Sequence, residues 1–98
     1  RRIAAVGSEP TAKHRVLYSD IDFNRHMNTM RYIDMVCDLL PIDELERLNA
    51  VRVDMNFMRE SRYGDVLSLC VDRRDDACAF EYRSGEGEAL CRISLELR

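Results

Sequence analysis

Residues 18–40, which read YSDIDFNRHMNTMRYIDMVCDLL, decide how the rest of this 98-residue chain is interpreted. The first half carries polar side chains at every second position, namely Asp20, Asp22, Asn24, His26 and Asn28. Polar groups this dense must face water, each other or a ligand, because burying them unpaired is costly. The second half has the apolar spacing of a helix. The stretch therefore predicts a polar loop that leads directly into a helix.

The helix is predicted over residues 29–40 and is amphipathic. Its apolar positions are Met30, Ile33, Val36 (or Cys37) and Leu40, and its polar stripe is Arg31, Asp34 and Asp38. Spacing of three and four residues is that of a helix with one face packed on a flat layer. Asn28 or Thr29 can cap the first turn, and Pro41 ends the helix.

Alternating apolar and polar residues predict strands at residues 14–19, 51–59, 66–72, 77–83 and 89–97. Short turns separate the last four, so these are expected to pair as an antiparallel meander. The fold class is therefore α+β, with an antiparallel sheet of about five strands and one long helix. One helix cannot cover both faces of such a sheet, so the other face is expected to meet a second domain or a second copy.

The chain is expected to be one domain preceded by a connecting segment. Residues 1–13 contain Gly7, Ser8 and Pro10 and no sustained period, which indicates a linker or the remnant of an upstream unit. Residues 14–98 then form the domain. Because the first residue is Arg and not Met, the chain is interpreted as a piece of a longer protein.

Composition and charge exclude several function classes. The net charge is −3, and a nucleic-acid partner needs a concentrated positive surface, so none is expected. No apolar run approaches the roughly 18 residues of a membrane span, and no signal peptide opens the chain. No glycine-rich phosphate loop or other cofactor motif is present. The cysteines lack metal-ligand spacing, so no metal site is expected, and buried free thiols fit a cytoplasmic protein.

The polar loop has the groups that acyl-transfer hydrolysis needs. If the loop is extended, Asp22, Asn24 and His26 point the same way. Carboxylate and imidazole groups move protons near neutral pH, an amide can stabilise an oxyanion, and the helix start adds backbone N–H groups. Asp, Asn and His are also good turn and cap residues, so a purely structural capping loop accounts for the same spacing.

The run YSDIDFNRHMNTMRYIDMVCDLLP, at residues 18–41, and the later Phe57-x-Arg59-Glu60 resemble the C-terminal hotdog domain of acyl-ACP thioesterases. These plant and bacterial enzymes release fatty acids from acyl carrier protein. The resemblance extends over residues 14–72, with the last two strands similar in pattern only. It implies a hotdog fold, in which an antiparallel sheet wraps a long helix.

The resemblance also implies roles for four residues. Asp22, Asn24 and His26 match the family's catalytic Asp, Asn and His, and Glu60 matches its catalytic Glu. A carboxylate, Asp22 or Glu60, would activate water or attack the thioester carbonyl, while the other two groups orient and polarise the substrate. Which carboxylate does which task stays open. Ser61 stands where many plant members have Cys, so no cysteine nucleophile is expected.

The implied function is hydrolysis of fatty acyl-ACP to free fatty acid and ACP in fatty acid biosynthesis. The partner would be acyl carrier protein with its phosphopantetheine-linked acyl chain. Because the family has two tandem hotdog domains, pairing with an N-terminal hotdog domain or a homodimer is expected, and the isolated domain can be inactive. Two alternatives remain: a hotdog acyl-CoA thioesterase, since the pattern of Tyr18, Asp22, His26 and Asn28 occurs there too, and a non-catalytic dimerisation or acyl-binding module.

Overall fold

The computed structural model describes residues 2–98 and has α+β content, as predicted. Its elements in chain order are β1 (Ala12–Arg15), a 3₁₀ turn (Tyr18–Asp20), α1 (Thr29–Cys37), α2 (Ile42–Glu46), β2 (Val51–Phe57), β3 (Val66–Arg74), β4 (Ala77–Arg83) and β5 (Ala89–Leu97). The strands form one antiparallel sheet in the order β1-β3-β4-β5-β2. The meander of β3, β4 and β5 is therefore confirmed.

The predicted place of β2 is wrong. It does not pair with β3; it pairs with β5 along its whole length, from Val51 opposite Leu97 to Phe57 opposite Cys91. The connection between β2 and β3 is too long for a tight hairpin, and its first residues are held elsewhere, because the N–H groups of Met58 and Arg59 donate to the Leu90 carbonyl. β1 occupies the place beside β3.

The first strand also differs from its predicted range of residues 14–19. It begins at Ala12, and the chain then turns at Tyr18–Asp20. The turn forms because the Asp20 carboxylate accepts the Leu17 N–H at 2.9 Å, and the Asp20 N–H donates to the Leu17 carbonyl at 3.0 Å. An extended strand cannot make either bond.

Helix α1 begins where the sequence predicts and packs with a shifted face. Asn28 is its cap, since its Oδ1 accepts the Met30 N–H at 2.9 Å. The fully buried residues are Tyr32 and Val36, whereas Met30 is 58% exposed, so the buried face keeps Val36 of the predicted face and is displaced from it by about a quarter of a turn. The helix ends at Cys37, three residues before the predicted end. Pro41 ends this helical run, as predicted, and is the N-cap residue of the short helix α2.

The core lies between α1 and one face of the sheet. Tyr32 sits at its centre, with its ring 5.1 Å from that of Tyr82 and 5.4 Å from that of Phe57, both edge to face. The Tyr82 hydroxyl donates to the Tyr32 carbonyl at 2.7 Å. Tyr32 and Tyr82 are each 1% exposed, and burial of aromatic rings to this extent contributes about 1.5–3 kcal/mol each. This packing fixes the helix start, and therefore the polar loop, against the sheet.

The opposite sheet face is partly covered by the chain itself. Ile3 and Val6 are buried there, in a segment, residues 3–10, that we call the N-terminal strap. Glu81, which is 3% exposed, accepts hydrogen bonds from Arg83 at 2.6 Å, from Arg92 at 2.7 Å and from the Val6 N–H at 3.2 Å. Burial raises the pKa of Glu81, but these donors outweigh it and lower the pKa overall.

The strap alters the interpretation of the first residues. The prediction that this sheet face is left to a partner is wrong for the part that the strap covers. β1 begins within the segment 1–13 that was expected to be a linker. The division into residues 1–13 and residues 14–98, with a connection to an upstream domain, stays a prediction. Arg1, its first residue, lies outside the described residues.

Candidate active site

The polar loop is built around the Asp22 side chain. Its Oδ1 accepts the N–H groups of Asn24 at 2.9 Å and His26 at 3.2 Å. The backbone closes the same turn, because the Asp22 N–H donates to the His26 carbonyl and the Arg25 N–H donates to the Asp22 carbonyl, both at 2.9 Å. Arg25 takes a left-handed conformation at φ 67° at the tip. Asp22 therefore holds the shape of the loop.

A second carboxylate, Asp20, anchors the loop to the core. It is 1% exposed and accepts hydrogen bonds from the Leu17 N–H, from His14 at 2.7 Å and from Arg31 at 2.8 Å. Burial raises its pKa, but these three donors outweigh burial and lower it overall. Asp20 is therefore a structural residue of the loop. Nothing in the spacing of the sequence indicates the contact with His14, because that residue belongs to the preceding strand.

The loop meets the connection between β2 and β3, and this contact joins two of the predicted site residues. The Met27 N–H donates to the Ser61 carbonyl at 2.8 Å, and His26 pairs with Arg62 in a single antiparallel bridge. As a result, Nδ1 of His26 lies 2.6 Å from Oε2 of Glu60. The His26 side chain is 26% exposed and that of Glu60 is 63% exposed. The pair is therefore open to an incoming molecule.

The other two predicted site residues are placed differently. Asp22 is half-buried, with one carboxylate oxygen engaged by the backbone of its own turn. Asn24 is exposed, and among residues 2–98 its amide side chain has no hydrogen-bond partner. Both lie in the same turn as His26. The structure thus brings Glu60 to His26, holds Asp22 in the loop framework, and leaves Asn24 exposed.

Two buried hydroxyl groups lie behind the pair. Ser61, next to Glu60 in the chain, is 0% exposed, and Tyr32 is 1% exposed. Within the described part of the chain neither hydroxyl has a partner in hydrogen-bonding geometry. Burial raises the pKa of Tyr32, and the polar groups of Ser61 oppose that rise only in part. Ser61 is sealed from solvent and cannot act as a nucleophile on a bound substrate.

A family profile for the acyl-ACP thioesterase C-terminal domain matches residues 4–98. The chain belongs to this family. No curated protein sequence matches it. An acyl-ACP thioesterase structure from Bacteroides thetaiotaomicron is 28% identical, with a TM-score of 0.82 over 100% of this chain and 42% of the other. The 12:0-ACP thioesterase from Umbellularia californica is 17% identical, with a TM-score of 0.75 over 100% of this chain and 39% of the other.

The protein SAV2348 from Staphylococcus aureus is 18% identical, with a TM-score of 0.74 over 89% of this chain and 72% of the other. These likenesses confirm the hotdog fold. This chain matches 42% of the B. thetaiotaomicron chain and 39% of the U. californica chain, which is less than half the length of either.

The thiols of this thioesterase domain are poorly suited to catalysis. Cys70, Cys78 and Cys91 are buried and Cys37 is half-buried, and all are free. Burial raises the pKa of each thiol, that of Cys91 to about 12. A nucleophilic cysteine needs the opposite shift of its pKa.

Among residues 2–98 no group of His, Cys, Asp and Glu is arranged to hold a metal ion, and no helix there is long and apolar enough to cross a membrane.

A groove of about 440 Å³ adjoins the site of this thioesterase domain. It runs between the connection from β2 to β3 and the turn from β4 to β5, and Glu60 is part of its wall. Arg59 also lines it, and its Nη1 lies 3.0 Å from Oε2 of Glu88. Glu60, which contacts His26, therefore also borders this groove.

Proposed function

We propose that this domain supplies the catalytic groups for hydrolysis of fatty acyl-ACP to free fatty acid and ACP. The observation that carries the proposal is the contact between His26 and Glu60, 2.6 Å apart and open to solvent. A carboxylate oriented by an imidazole is suited to take a proton from water. Membership of the family, and the names of the B. thetaiotaomicron and U. californica proteins, support an acyl-ACP substrate in fatty acid biosynthesis.

In this mechanism Glu60 is the general base. It takes a proton from a water molecule, whose oxygen attacks the thioester carbonyl carbon and forms a tetrahedral oxyanion. The Asn24 amide donates a hydrogen bond to the oxyanion, which was the carbonyl oxygen of the thioester, and the positive end of α1 stabilises the same charge. As the intermediate collapses, the carbon–sulfur bond breaks, and the thiolate takes the proton back from Glu60. His26 keeps the carboxylate in place. Asp22 is assigned the loop framework and not the base.

The test is hydrolysis of acyl-ACP by the variants Glu60→Gln and His26→Gln. Loss of the base is expected to lower kcat about 10²–10⁴-fold. Glu46→Gln, at an exposed glutamate on α2, is the matched control and should leave kcat unchanged. Hydrolysis by Glu60→Gln at the rate of the unaltered protein would remove Glu60 from the mechanism.

An acyl-CoA substrate is the second candidate. The S. aureus protein of similar fold was solved in complex with CoA, and it resembles this chain over 72% of its length. Turnover of the same acyl group on the two carriers separates the candidates. A kcat/KM at least tenfold higher for acyl-ACP is expected, and the reverse order would favour acyl-CoA.

A second hotdog domain is proposed to cover β2. This strand lies at an edge of the sheet and leaves Val51, Val53 and Phe57 between 40% and 46% exposed. An open edge with apolar side chains is a pairing surface. The partner is an N-terminal hotdog domain or a second copy of this chain. Light scattering of the 98-residue chain should show a dimer, and Val53→Lys should make it monomeric.

The free cysteines, none of which is in a disulfide bond, support a cytoplasmic location.

A further inference from the structure

The N-terminal strap contacts the sheet near the end of the pairing between β2 and β5. The Ile3 N–H donates to Oδ1 of Asn56 at 2.6 Å, and the Ile3 carbonyl accepts a hydrogen bond from Nη1 of Arg92 at 3.4 Å. Asn56 and Arg92 lie directly opposite each other on β2 and β5. The main chain of one strap residue therefore links the two strands, in addition to the hydrogen bonds of the ladder between them.

This link lies where the two strands are about to separate. The next pair, Phe57 opposite Cys91, is the last of the ladder. β2 is at an edge of the sheet, and the side chains of Phe57 and Met58 are 46% and 45% exposed. Strand ends with few buried contacts open more readily than strand interiors. The Ile3 link thus restrains the part of β2 that side-chain packing holds least.

Glu60 leaves the sheet directly after this end of β2. The N–H groups of Met58 and Arg59 both donate to the Leu90 carbonyl on β5, at 2.9 Å and 3.2 Å, and Glu60 is the next residue. On its far side the Ser61 carbonyl is bonded to the polar loop at 2.8 Å. The position of the Glu60 carboxylate therefore depends on two anchors, which are the polar loop and the end of the β2–β5 ladder.

The strap residue that makes the link is itself firmly held. The Ile3 side chain is 6% exposed. Its partner Arg92 also contacts Glu81 at 2.7 Å, and Glu81 is 3% exposed and accepts the Val6 N–H at 3.2 Å. Hydrogen bonds to an ionised group are stronger than those between neutral groups. The link is therefore tied to a buried ion pair and is not a loose surface contact.

We propose that Asn56, through its hydrogen bond to Ile3, is a positioning residue that keeps Glu60 in contact with the imidazole of the active-site pair. Asn56 stands four residues before Glu60 and acts through the main chain of β2. The effect on the contact stands by itself, whereas its consequence for catalysis rests on the proposed function. A small displacement of a general base lowers the rate of the chemical step without weakening substrate binding.

Two substitutions of Asn56 separate the hydrogen bond from the size of the side chain. Asn56→Leu has a similar volume and cannot accept the Ile3 N–H, whereas Asn56→Asp keeps an acceptor oxygen. Asn49→Leu is the matched control, because it makes the same change at an exposed residue just before the other end of β2. Ile3→Pro removes the N–H from the strap side.

Nitrogen NMR of the histidines measures the contact without any substrate. The chain has two histidines, so labelling with ¹⁵N-histidine gives two imidazoles, which His26→Gln assigns. The Nδ1 shift of His26 in Glu60→Gln is the reference for a lost carboxylate contact. Asn56→Leu should move the His26 signal toward that reference, while the signal of His14, which is bonded to Asp20, should stay in place.

The remaining variants test whether the movement comes from the strap bond. Ile3→Pro should move the His26 signal in the same direction as Asn56→Leu. The double variant should move it no further, because both changes remove one bond. Asn56→Asp and Asn49→Leu should leave the signal unchanged.

The rate of hydrolysis and amide exchange complete the test. Asn56→Leu is expected to lower kcat for acyl-ACP about tenfold with KM unchanged, and Asn56→Asp should retain kcat. Hydrogen exchange at the Met58 and Arg59 amides should accelerate about tenfold more than exchange at the core residue Ile93.

If the unaltered protein hydrolyses no thioester, the proposed function fails, yet a displaced His26 signal in Asn56→Leu still supports the positioning role. An unchanged His26 signal in Asn56→Leu would overturn it. So would an equally large movement in Asn56→Asp, or an equal acceleration of exchange at Met58 and Ile93, which would mean a general loss of stability.

Discussion

The imidazole of His26 and the carboxylate of Glu60 meet at 2.6 Å across two separate chain segments. The segments are joined by backbone contacts, with the Met27 N–H donating to the Ser61 carbonyl at 2.8 Å. The geometry of the pair therefore depends on how firmly each segment is held. On the His26 side, that support comes from the two aspartates Asp20 and Asp22.

Replacing Asp22 should separate loop shape from chemistry. Asp22→Ala removes the acceptor of two backbone N–H groups and is expected to lower the free energy of unfolding by about 1–2 kcal/mol, with a large loss of activity because His26 moves. Asp22→Asn keeps an acceptor oxygen and should therefore retain most of the stability and most of the activity. Urea unfolding and acyl-ACP hydrolysis are the measurements. A stable, correctly folded Asp22→Asn with activity as low as that of Asp22→Ala would instead make the Asp22 charge catalytic.

Asn24 should show the opposite behaviour. Its exposed amide has no hydrogen-bond partner within residues 2–98, so Asn24→Ala should change stability by less than about 0.5 kcal/mol. If the amide stabilises the oxyanion, kcat should fall about 10²–10³-fold while KM changes little. Steady-state hydrolysis combined with urea unfolding measures both. Unchanged kcat would show that the oxyanion is held elsewhere.

Two neighbouring tyrosines are a matched test of a buried hydrogen bond. The Tyr82 hydroxyl donates to the Tyr32 carbonyl at 2.7 Å, whereas the Tyr32 hydroxyl is buried without a partner in hydrogen-bonding geometry. Tyr82→Phe should lower the free energy of unfolding by about 1–2 kcal/mol, because it leaves a buried carbonyl short of a donor. Tyr32→Phe should be neutral or stabilising by up to about 1 kcal/mol. If urea unfolding showed the same loss of stability for both variants, the difference in hydrogen bonding between the two hydroxyl groups would be contradicted.

The local features of this fold could be predicted from the sequence, whereas the pairing of segments far apart in the chain could not. The strands β3, β4 and β5, and the Asn28 cap, follow from alternation, short turns and one side chain, all of which act over a few residues. The pairing of β2 with β5 joins segments far apart in the chain, and no local pattern selects β5 over β3. The strap escaped prediction for a similar reason, since Ile3 and Val6 are isolated apolar residues whose partners lie in distant strands.

The site shows the same division. The spacing of Asp22, Asn24 and His26 marks them as candidates, but their shared direction requires an extended loop, and the structure has a tight turn there, with the Asp22 N–H donating to the His26 carbonyl. Glu60 could be connected with them only through the family resemblance, since its own surroundings look like an ordinary charged turn. The direct contact of Glu60 with His26 depends on the crossing of two loops, which spacing does not encode.

Asp20 should make stability depend on acid pH. Its pKa is lower in the folded protein than in the unfolded chain, where it is roughly 3.9, so the unfolded state binds the proton first. Its contribution is complete above that pH and is lost as pH falls through the folded pKa. Asp20→Asn should therefore be about 2 kcal/mol less stable than the unaltered protein at pH 7, and the difference should shrink below about pH 4.

Urea unfolding at a series of pH values measures this difference. Asp34→Asn, at the exposed second partner of Arg31, is the control and should give a small, nearly constant difference. A difference between Asp20→Asn and the unaltered protein that grows toward acid pH would mean that Asp20 is not ionised in the folded state.

Glu81 should hold the N-terminal strap on the sheet. Glu81→Gln removes the charge that Arg83 and Arg92 face and weakens the acceptor of the Val6 N–H. Hydrogen exchange at Val6 is expected to accelerate about tenfold more than exchange at the core residue Ile93. Glu86→Gln, the same change at an exposed turn, is the control. Equal acceleration at Val6 and Ile93 would show a global loss of stability in place of release of the strap.

The positions of the free thiols allow local opening of the folded domain to be followed by cysteine labelling. Cys37, Cys70, Cys78 and Cys91 lie one each on α1, β3, β4 and β5. Cys70, Cys78 and Cys91 are buried, so each should react with an alkylating reagent only when its own strand opens, whereas the half-buried Cys37 should react first. The order in which the three buried thiols become labelled, followed by mass spectrometry, therefore ranks β3, β4 and β5 by how often they open, without any introduced probe.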